Sequence, residues 1–166
     1  MRHQPEVGTA ITRVDYGNAR DANALVALLD HYASDPMGGG VPLANEVKTC
    51  LCNALAKRPD AASFIAWAGH VPIGLINCFE GYSTFNARPL LNVHDLVVHA
   101  EHRGHGVGQS LLAAAQQLAR ERGCCKVTLE VLSGNALALA SYARFGFKSY
   151  QLDPAAGQAL LMQKWL

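Results

Sequence analysis

No sign of charge dominates this sequence: 14 lysines and arginines stand against 13 aspartates and glutamates, a formal net charge of +1 at pH 7. So balanced a chain has no broad pull towards nucleic acid or acidic membrane, and any anion must be gripped locally. Long apolar runs are missing as well. The first thirty residues carry Asp15, Asp21 and Asp30 among their apolar positions, and no stretch is long enough to span a bilayer. A soluble, cytoplasmic protein with no nucleic-acid and no membrane partner is expected. The few cysteines, Cys50, Cys52, Cys78, Cys124 and Cys125, are odd in number and crowded in pairs, which excludes a disulfide framework. Cys50-x-Cys52 and Cys124-Cys125 also miss zinc-ligand spacing, so reduced thiols and no metal are expected. Repeats and Pro/Ser-rich linkers are absent, and 166 residues fit one domain spanning 1–166.

What is present reads as a continuous α/β chain, 50% hydrophobic and therefore able to pack a core. Thr9 to Tyr16 alternates and is β-branched, the mark of an opening strand. From Asp21, the expected N-cap, Leu25, Leu28, Leu29 and Tyr32 recur at helical spacing to about Ser34. Asp35-Pro36-Met37-Gly38-Gly39-Gly40-Val41-Pro42 predicts a mobile loop, since prolines lack donors and glycines cost backbone entropy. Val47, Leu51, Ala54 and Leu55 make a second helix ending before Pro59. Phe64–Ala68 and Val71–Phe79, split by Gly69-His70, predict a hairpin. Leu91–Val98 is a fourth strand and Lys126–Val131 a fifth. Between them the apolar stripe Val107, Leu111, Leu112, Ala115, Leu118, Ala119 predicts the clearest helix, stopping at Gly123. A shorter helix covers Asn135–Phe145, and Phe147–Leu152 and Ala159–Trp165 read as closing strands. The edge of the last, with Leu160, Leu161, Trp165 and Leu166, suits a homodimer, the alternative being ordinary core packing.

The junction between the fourth strand and the clearest helix carries the chemistry. Arg103-Gly104-His105-Gly106-Val107-Gly108 places glycines where the chain turns, so that backbone N–H groups can approach a ligand. The first N–H groups of the helix lack internal partners and the macrodipole is positive there, so a phosphate fits. Gln109 after Gly108 excludes the Gly-x-x-x-x-Gly-Lys-Ser/Thr loop, and glycines at intervals of two exclude Gly-x-Gly-x-x-Gly, which argues against ATP and NAD.

Arg103-x-x-Gly106-x-Gly108 resembles the Arg/Gln-x-x-Gly-x-Gly/Ala motif of the GNAT N-acetyltransferases. Asp95-Leu96-Val97-Val98 is similar to that family's fourth strand, and Asn135-Ala136-x-Ala138-x-x-x-Tyr142-x-x-Phe145-Gly146-Phe147 to its second signature. The resemblance covers roughly residues 91 to 150. It implies a mixed, mostly antiparallel sheet of about seven strands flanked by about four helices, with the fourth and fifth strands splayed around a cofactor slot. It implies acetyl-CoA as cosubstrate, its pantetheine arm paired along Leu96, Val97 and Val98. The pyrophosphate would lie on the amides of Arg103, Gly104, His105, Gly106, Val107, Gly108 and Gln109. It further implies that Asn135 bonds the cofactor arm and that Tyr142 protonates the departing thiolate, although spacing alone makes Tyr142 a core aromatic.

Acetyl transfer to an amine also needs a base, since an alkylamine has a pKa of about 10.4. Asp95 is the first candidate and Glu130 the second; a strand-end hydrogen bond and a solvent-facing carboxylate are the alternatives. Gly81-Tyr82-Ser83-Thr84-Phe85 followed by Asp95-Leu96 resembles the diamine (spermidine/spermine) branch of the family, which puts Tyr82, Phe85 and Asp95 at the acceptor; strand-edge packing is the other reading of the aromatics. The expected function is direct transfer, within a ternary complex, of acetyl from acetyl-CoA to a primary amine of a small molecule. Acetylation of a protein N-terminus or lysine, and non-catalytic acyl-CoA binding, are the alternatives. His94, His99, His102 and His105 invite a metal, but His94 and His99 are an odd number of residues apart on a strand and are expected on opposite faces.

Overall fold

The computed structural model of the chain describes residues 8–150, 155 and 160–166. Its alternating and apolar runs become five strands: β1 (Thr9–Arg13), β2 (Ala61–Ala68), β3 (Val71–Ser83), β4 (Arg88–Val98) and β5 (Val127–Leu129). They form one sheet in sequence order, antiparallel as far as β4, with β5 joining parallel. Four helices flank it: α1 (Ala19–Ser34), α2 (Asn45–Leu55), α3 (Val107–Glu121) and α4 (Ala136–Phe145). The mixed α/β architecture is the expected one, with five strands among the described residues against about seven. Of the two expected closing strands, residues 147–150 and 160–165 are in no strand, and residues 151, 152 and 159 lie outside the described ones. Leu160, Leu161, Trp165 and Leu166 are exposed, so ordinary core packing does not account for them.

Apolar residues on both faces of β3 explain the layering. On one face Ile76, Leu91 and Val93 are buried under Leu111, Leu112 and Ala115 of α3. On the other, Ile65, Leu75 and Val97 are buried under Leu25 and Leu28 of α1 and Leu55 of α2. Each fully buried Leu or Ile contributes about 1.5–3 kcal/mol, so helices on both faces fix the height of β4 between them.

Local chemistry corrects three expectations. The cap of α1 is Asn18, whose Oδ1 accepts from the N–H groups of Arg20 and Asp21 at 2.9 and 3.3 Å. Asp21 sits in the first turn and accepts instead from the Asp15 N–H. The expected mobile loop after α1 is a hydrogen-bonded segment: Asp35 caps a 3-10 turn over Pro36–Gly38, and Asp30 accepts from the Leu43 N–H and pairs with Lys48. At Gly38 a Cβ would come within 1.9 Å of the Tyr32 carbonyl oxygen, so this turn closes onto α1 only with glycine. Thirdly, β4 carries a bulge. Cys78 pairs with Val93 and Asn77 with Asp95, leaving His94 as the extra residue.

That bulge resets the alternation of β4. Leu91 and Val93 face α3, whereas Val97 faces α1. His94 packs edge-on against Phe79 and His99 stacks on His31 of α1, so these two histidines share a side, contrary to the simple strand count. The parallel pairing with β5 covers only Leu91–Val93 against Val127–Leu129. From Asp95 to Val98, β4 continues without β5 beside it, which is the splayed geometry expected of this pair.

Candidate functional site

The open stretch of β4 and the start of α3 make one continuous surface. His99 donates its N–H to the Ile73 carbonyl at 2.9 Å, and main-chain groups alternate sides along an antiparallel ladder. Asp95 and Val97 therefore also face β3, whereas Leu96 and Val98 turn their N–H and C=O groups towards the edge that β5 has left. Of the three β4 residues expected along the cofactor arm, Val97 is the exception: its main chain serves β3 and its side chain is buried under α1.

At the end of this edge the chain turns through Gly104 and Gly106, with φ of 82° and 81°. Gly106 caps α3 without any side-chain hydrogen bond, and no acidic residue occupies the first turn. α1 and α4 differ, each being capped by an asparagine side chain. The first N–H groups of α3 thus lack the usual internal partners in front of a positive dipole end. A Cβ at Gly104 or Gly106 would meet nothing within 4 Å, so the space before these amides is open. The cradle fits a diphosphate. Val107 contributes only its amide, since its side chain is in the core. Gly106→Val adds a branched side chain at positive φ, which costs about 1–2 kcal/mol, and projects it into that space. Its dissociation constant for acetyl-CoA is expected to rise about tenfold or more in calorimetric titration.

Arg103 does not stand free over the cradle. Its Nε donates to the Val98 carbonyl at 3.1 Å, and its Nη2 lies 3.0 Å from Asp35 Oδ2. The Met37 N–H first, and then Arg103, hold the Asp35 carboxyl below the usual carboxylate range. The arginine therefore ties the turn after α1 to the end of β4. The Arg103 N–H also donates to Ala100, at 3.4 Å, so the cradle amides begin at Gly104.

α4 is docked against this surface through Gln109, whose Nε2 donates to the Ser141 carbonyl and hydroxyl at 3.0 and 2.9 Å. The next residue, Tyr142, is half-buried and packs edge-on against Phe147 at 5.9 Å. Burial chiefly, and then the neighbouring Tyr32, push its phenol above the usual tyrosine value. Tyr32 is itself raised, by burial first and then by the charges of Asp95 and Asp35. Tyr32 therefore lies within electrostatic reach of both Tyr142 and Asp95, a placement that spacing along the sequence does not reveal.

Asp95 is at the floor of a cavity of about 350 Å3 between α1, α2 and the sheet, shared with Tyr32, Leu51, Asn77, Phe79 and His94. A buried polar chain runs into it. Ser63 donates to Asn77 Oδ1 at 2.6 Å, so the single hydroxyl proton of Ser63 is used and the Tyr16 hydroxyl, 2.8 Å away, must be the donor to Ser63. The oriented Asn77 amide then donates from Nδ2 to Asp95 Oδ2 at 3.0 Å. Every hydrogen in this chain points towards the carboxylate, and Ser63 and Asn77 are almost fully buried. The amide cannot flip without breaking both contacts, so Asp95 is held with Oδ2 engaged by Asn77. Polar residues inside the otherwise apolar runs of β2 and β3 were the sequence signal for this chain.

Other expected residues fall elsewhere. Asn135 caps α4, its Oδ1 accepting from the Ala138 N–H at 3.1 Å, which leaves its amide nitrogen for any cofactor contact. His105 is exposed beside the cradle. Glu130 lies one residue past the end of the short β5 and is exposed, not inside a central strand. Tyr82 and Phe85 are 63% and 97% exposed around the β3–β4 hairpin, and neither lines the cavity. Five residues of strand separate Asn77 from Tyr82, roughly 16 Å, too far for one small acceptor to touch both Tyr82 and Asp95. No cluster of three potential metal ligands occurs among the described residues.

Comparison with known proteins follows the same segment. The family model described as acetyltransferase (GNAT) family matches residues 25–147. Streptothricin acetyltransferase of Streptomyces lavendulae is 43% identical over 77 residues, which are 46% of this chain and 40% of that protein. Glucosamine 6-phosphate N-acetyltransferase of Trypanosoma brucei brucei is 26% identical over 136 residues, 79% of this chain and 85% of that protein. The chain spans 40%, 44% and 57% of the length of three of the curated relatives it matches. An aminoglycoside N-acetyltransferase crystallised with CoA superposes with a TM-score of 0.76 at 19% identity, covering 95% of each chain, which shows a shared fold.

Proposed function

Because this chain belongs to the acetyltransferase (GNAT) family, we propose that it transfers the acetyl group of acetyl-CoA to a primary amine of a small molecule, by direct attack within a ternary complex. The observation that carries this reading is the uncapped N-terminus of α3 at the end of the open β4 edge, with Asp95 on the same strand and α4, which carries Tyr142, docked on α3 through Gln109. Relatives named for acetylating streptothricin and glucosamine 6-phosphate support an amine acceptor.

Bound acetyl-CoA supplies an acyl thioester. The amides from Gly104 to Gln109 would hold its diphosphate, and the main-chain groups of Leu96 and the N–H of Val98 would hold its arm as an added strand holds a sheet, the Val98 carbonyl being taken by Arg103. Asp95 accepts a proton from the attacking amine, directly or through one water, as the new C–N bond forms. Tyr142 gives its proton to the sulfur as the C–S bond breaks, so the products are an amide and a neutral thiol. The raised Tyr142 suits a donor, since it remains protonated through neutral pH. A covalent acyl-enzyme is disfavoured because no cysteine is among the described residues lining the cavity and burial pushes the Cys78 thiol up to about 12.

Two measurements test this reading. Acetyl-CoA at a hundredfold its dissociation constant is expected to stabilise the fold by about 2.7 kcal/mol, read as a thermal shift. Thiol release across a panel of primary amines is expected to show turnover. Absence of the shift counts against both an enzyme and an acyl-CoA-binding module, whereas a shift without turnover supports the module.

A further inference from the structure

The lining of the acceptor cavity selects among amines, and, resting on the transferase reading, we infer that the acceptor is a primary amine carried on an uncharged, apolar body. The walls contributed by α1, the turn after it and α2 include Leu29, Leu43, Leu51 and Leu55, and the sheet adds Phe79. Among the described residues Asp95 is the one carboxylate in the lining, and no lysine or arginine joins it. The neighbouring acidic groups are already paired: Asp35 with Arg103 and Asp30 with Lys48.

Electrostatics then exclude two classes of acceptor. A polyamine or polycationic amino sugar brings several ammonium groups, of which Asp95 can meet one, and burying a second against leucine walls without a partner is costly. A phosphorylated amine brings an anion to the Asp95 carboxylate, with no lysine or arginine among the described lining residues to meet it. At about 350 Å3 the space lies near the lower end of the roughly 300–1,000 Å3 typical of small-molecule sites. An arylalkylamine or medium-chain alkylamine fills it with matching surface.

The same walls assist the reaction. Burial in apolar surroundings disfavours the charged form of an amine, which lowers its pKa towards a range where Asp95 can take the proton. A solvated polycation would lack this help.

The test is thiol-release kinetics of the full chain with four acceptor sets: straight-chain alkylamines of rising length, an arylalkylamine, spermidine and an aminoglycoside. Within the alkylamines kcat/KM is expected to rise about fourfold per added methylene until the cavity is full. The arylalkylamine is expected to exceed both polycations by about tenfold or more, given at least one extra buried ammonium per polycation. Leu43→Asp, at a partly exposed position after α1, places a second carboxylate in the wall, with a thermal melt checking that the fold survives. It is expected to raise KM for the arylalkylamine and lower it for spermidine. Preference of the unsubstituted protein for a polycation, or kcat/KM independent of chain length, overturns the inference and leaves the transferase reading standing. Acetyl-CoA binding with no thiol release from any amine overturns both.

Discussion

Asp95→Asn lowers kcat/KM for amine acetylation by about 10²- to 10⁴-fold, the range for removing a general base, while the dissociation constant for acetyl-CoA stays within a factor of two or so. The substitution is nearly isosteric, and the Asn77 Nδ2 donor can still find the side-chain oxygen at the site of Oδ2. Folding should therefore survive, which a thermal melt checks. The loss falls on the chemical step because the amide cannot accept the proton of the attacking amine. Rate should return in part with acceptors whose amines have lower pKa values, since these need less help. A variant with unchanged turnover removes Asp95 from the mechanism and leaves its hydrogen bond to Asn77 as a structural one.

Tyr142→Phe lowers kcat by about 10²-fold or more, again with little change in acetyl-CoA affinity. The ring is retained against Phe147, so the variant deletes the hydroxyl and keeps the packing. The phenol is raised above the ordinary tyrosine value by burial first and then by Tyr32. Its acidic form is thus complete from low pH up to its own ionisation. As pH rises from 7 to 9, kcat of the unsubstituted protein should show no fall attributable to this group. An alkaline fall within that window, lost in Tyr142→Phe, would contradict the raised ionisation of the phenol, and a variant with normal kcat would remove Tyr142 as the proton donor.

The elements that define the fold were legible because their signals are local. The stripe from Val107 to Ala119 and the Gly69-His70 turn each act over a few residues, and α3 and the β2–β3 hairpin appear where those signals lie. The cradle was legible for the same reason, as a glycine-rich turn adjoining a helix. The surroundings of Asp95 were not. Tyr32 reads as one more apolar position of α1 and gains its place beside Asp95 only because α1 packs across the far end of β4. A polar Asn77 in an apolar run signals a buried partner without saying that it is Asp95, and nothing local announces the bulge at His94 that sets the direction of Leu96 and Val98. Tyr82 and Phe85 were placed at the acceptor by resemblance, but strand length carries them to the distant hairpin. Glu130 reads as a strand residue until the divergence of β4 from β5 leaves β5 only three residues long.

The central claim is that the amides opening α3 hold a diphosphate and aim a thioester between Tyr142 and Asp95. A crystal structure with coenzyme A tests it most directly. The account predicts the diphosphate against the N–H groups of Gly104 to Gln109, the arm along Leu96 and Val98, and the sulfur near the Tyr142 hydroxyl at the mouth of the Asp95 cavity. Coenzyme A bound on another surface, or bound in the cradle with Tyr142 sealed away from its sulfur, would contradict it.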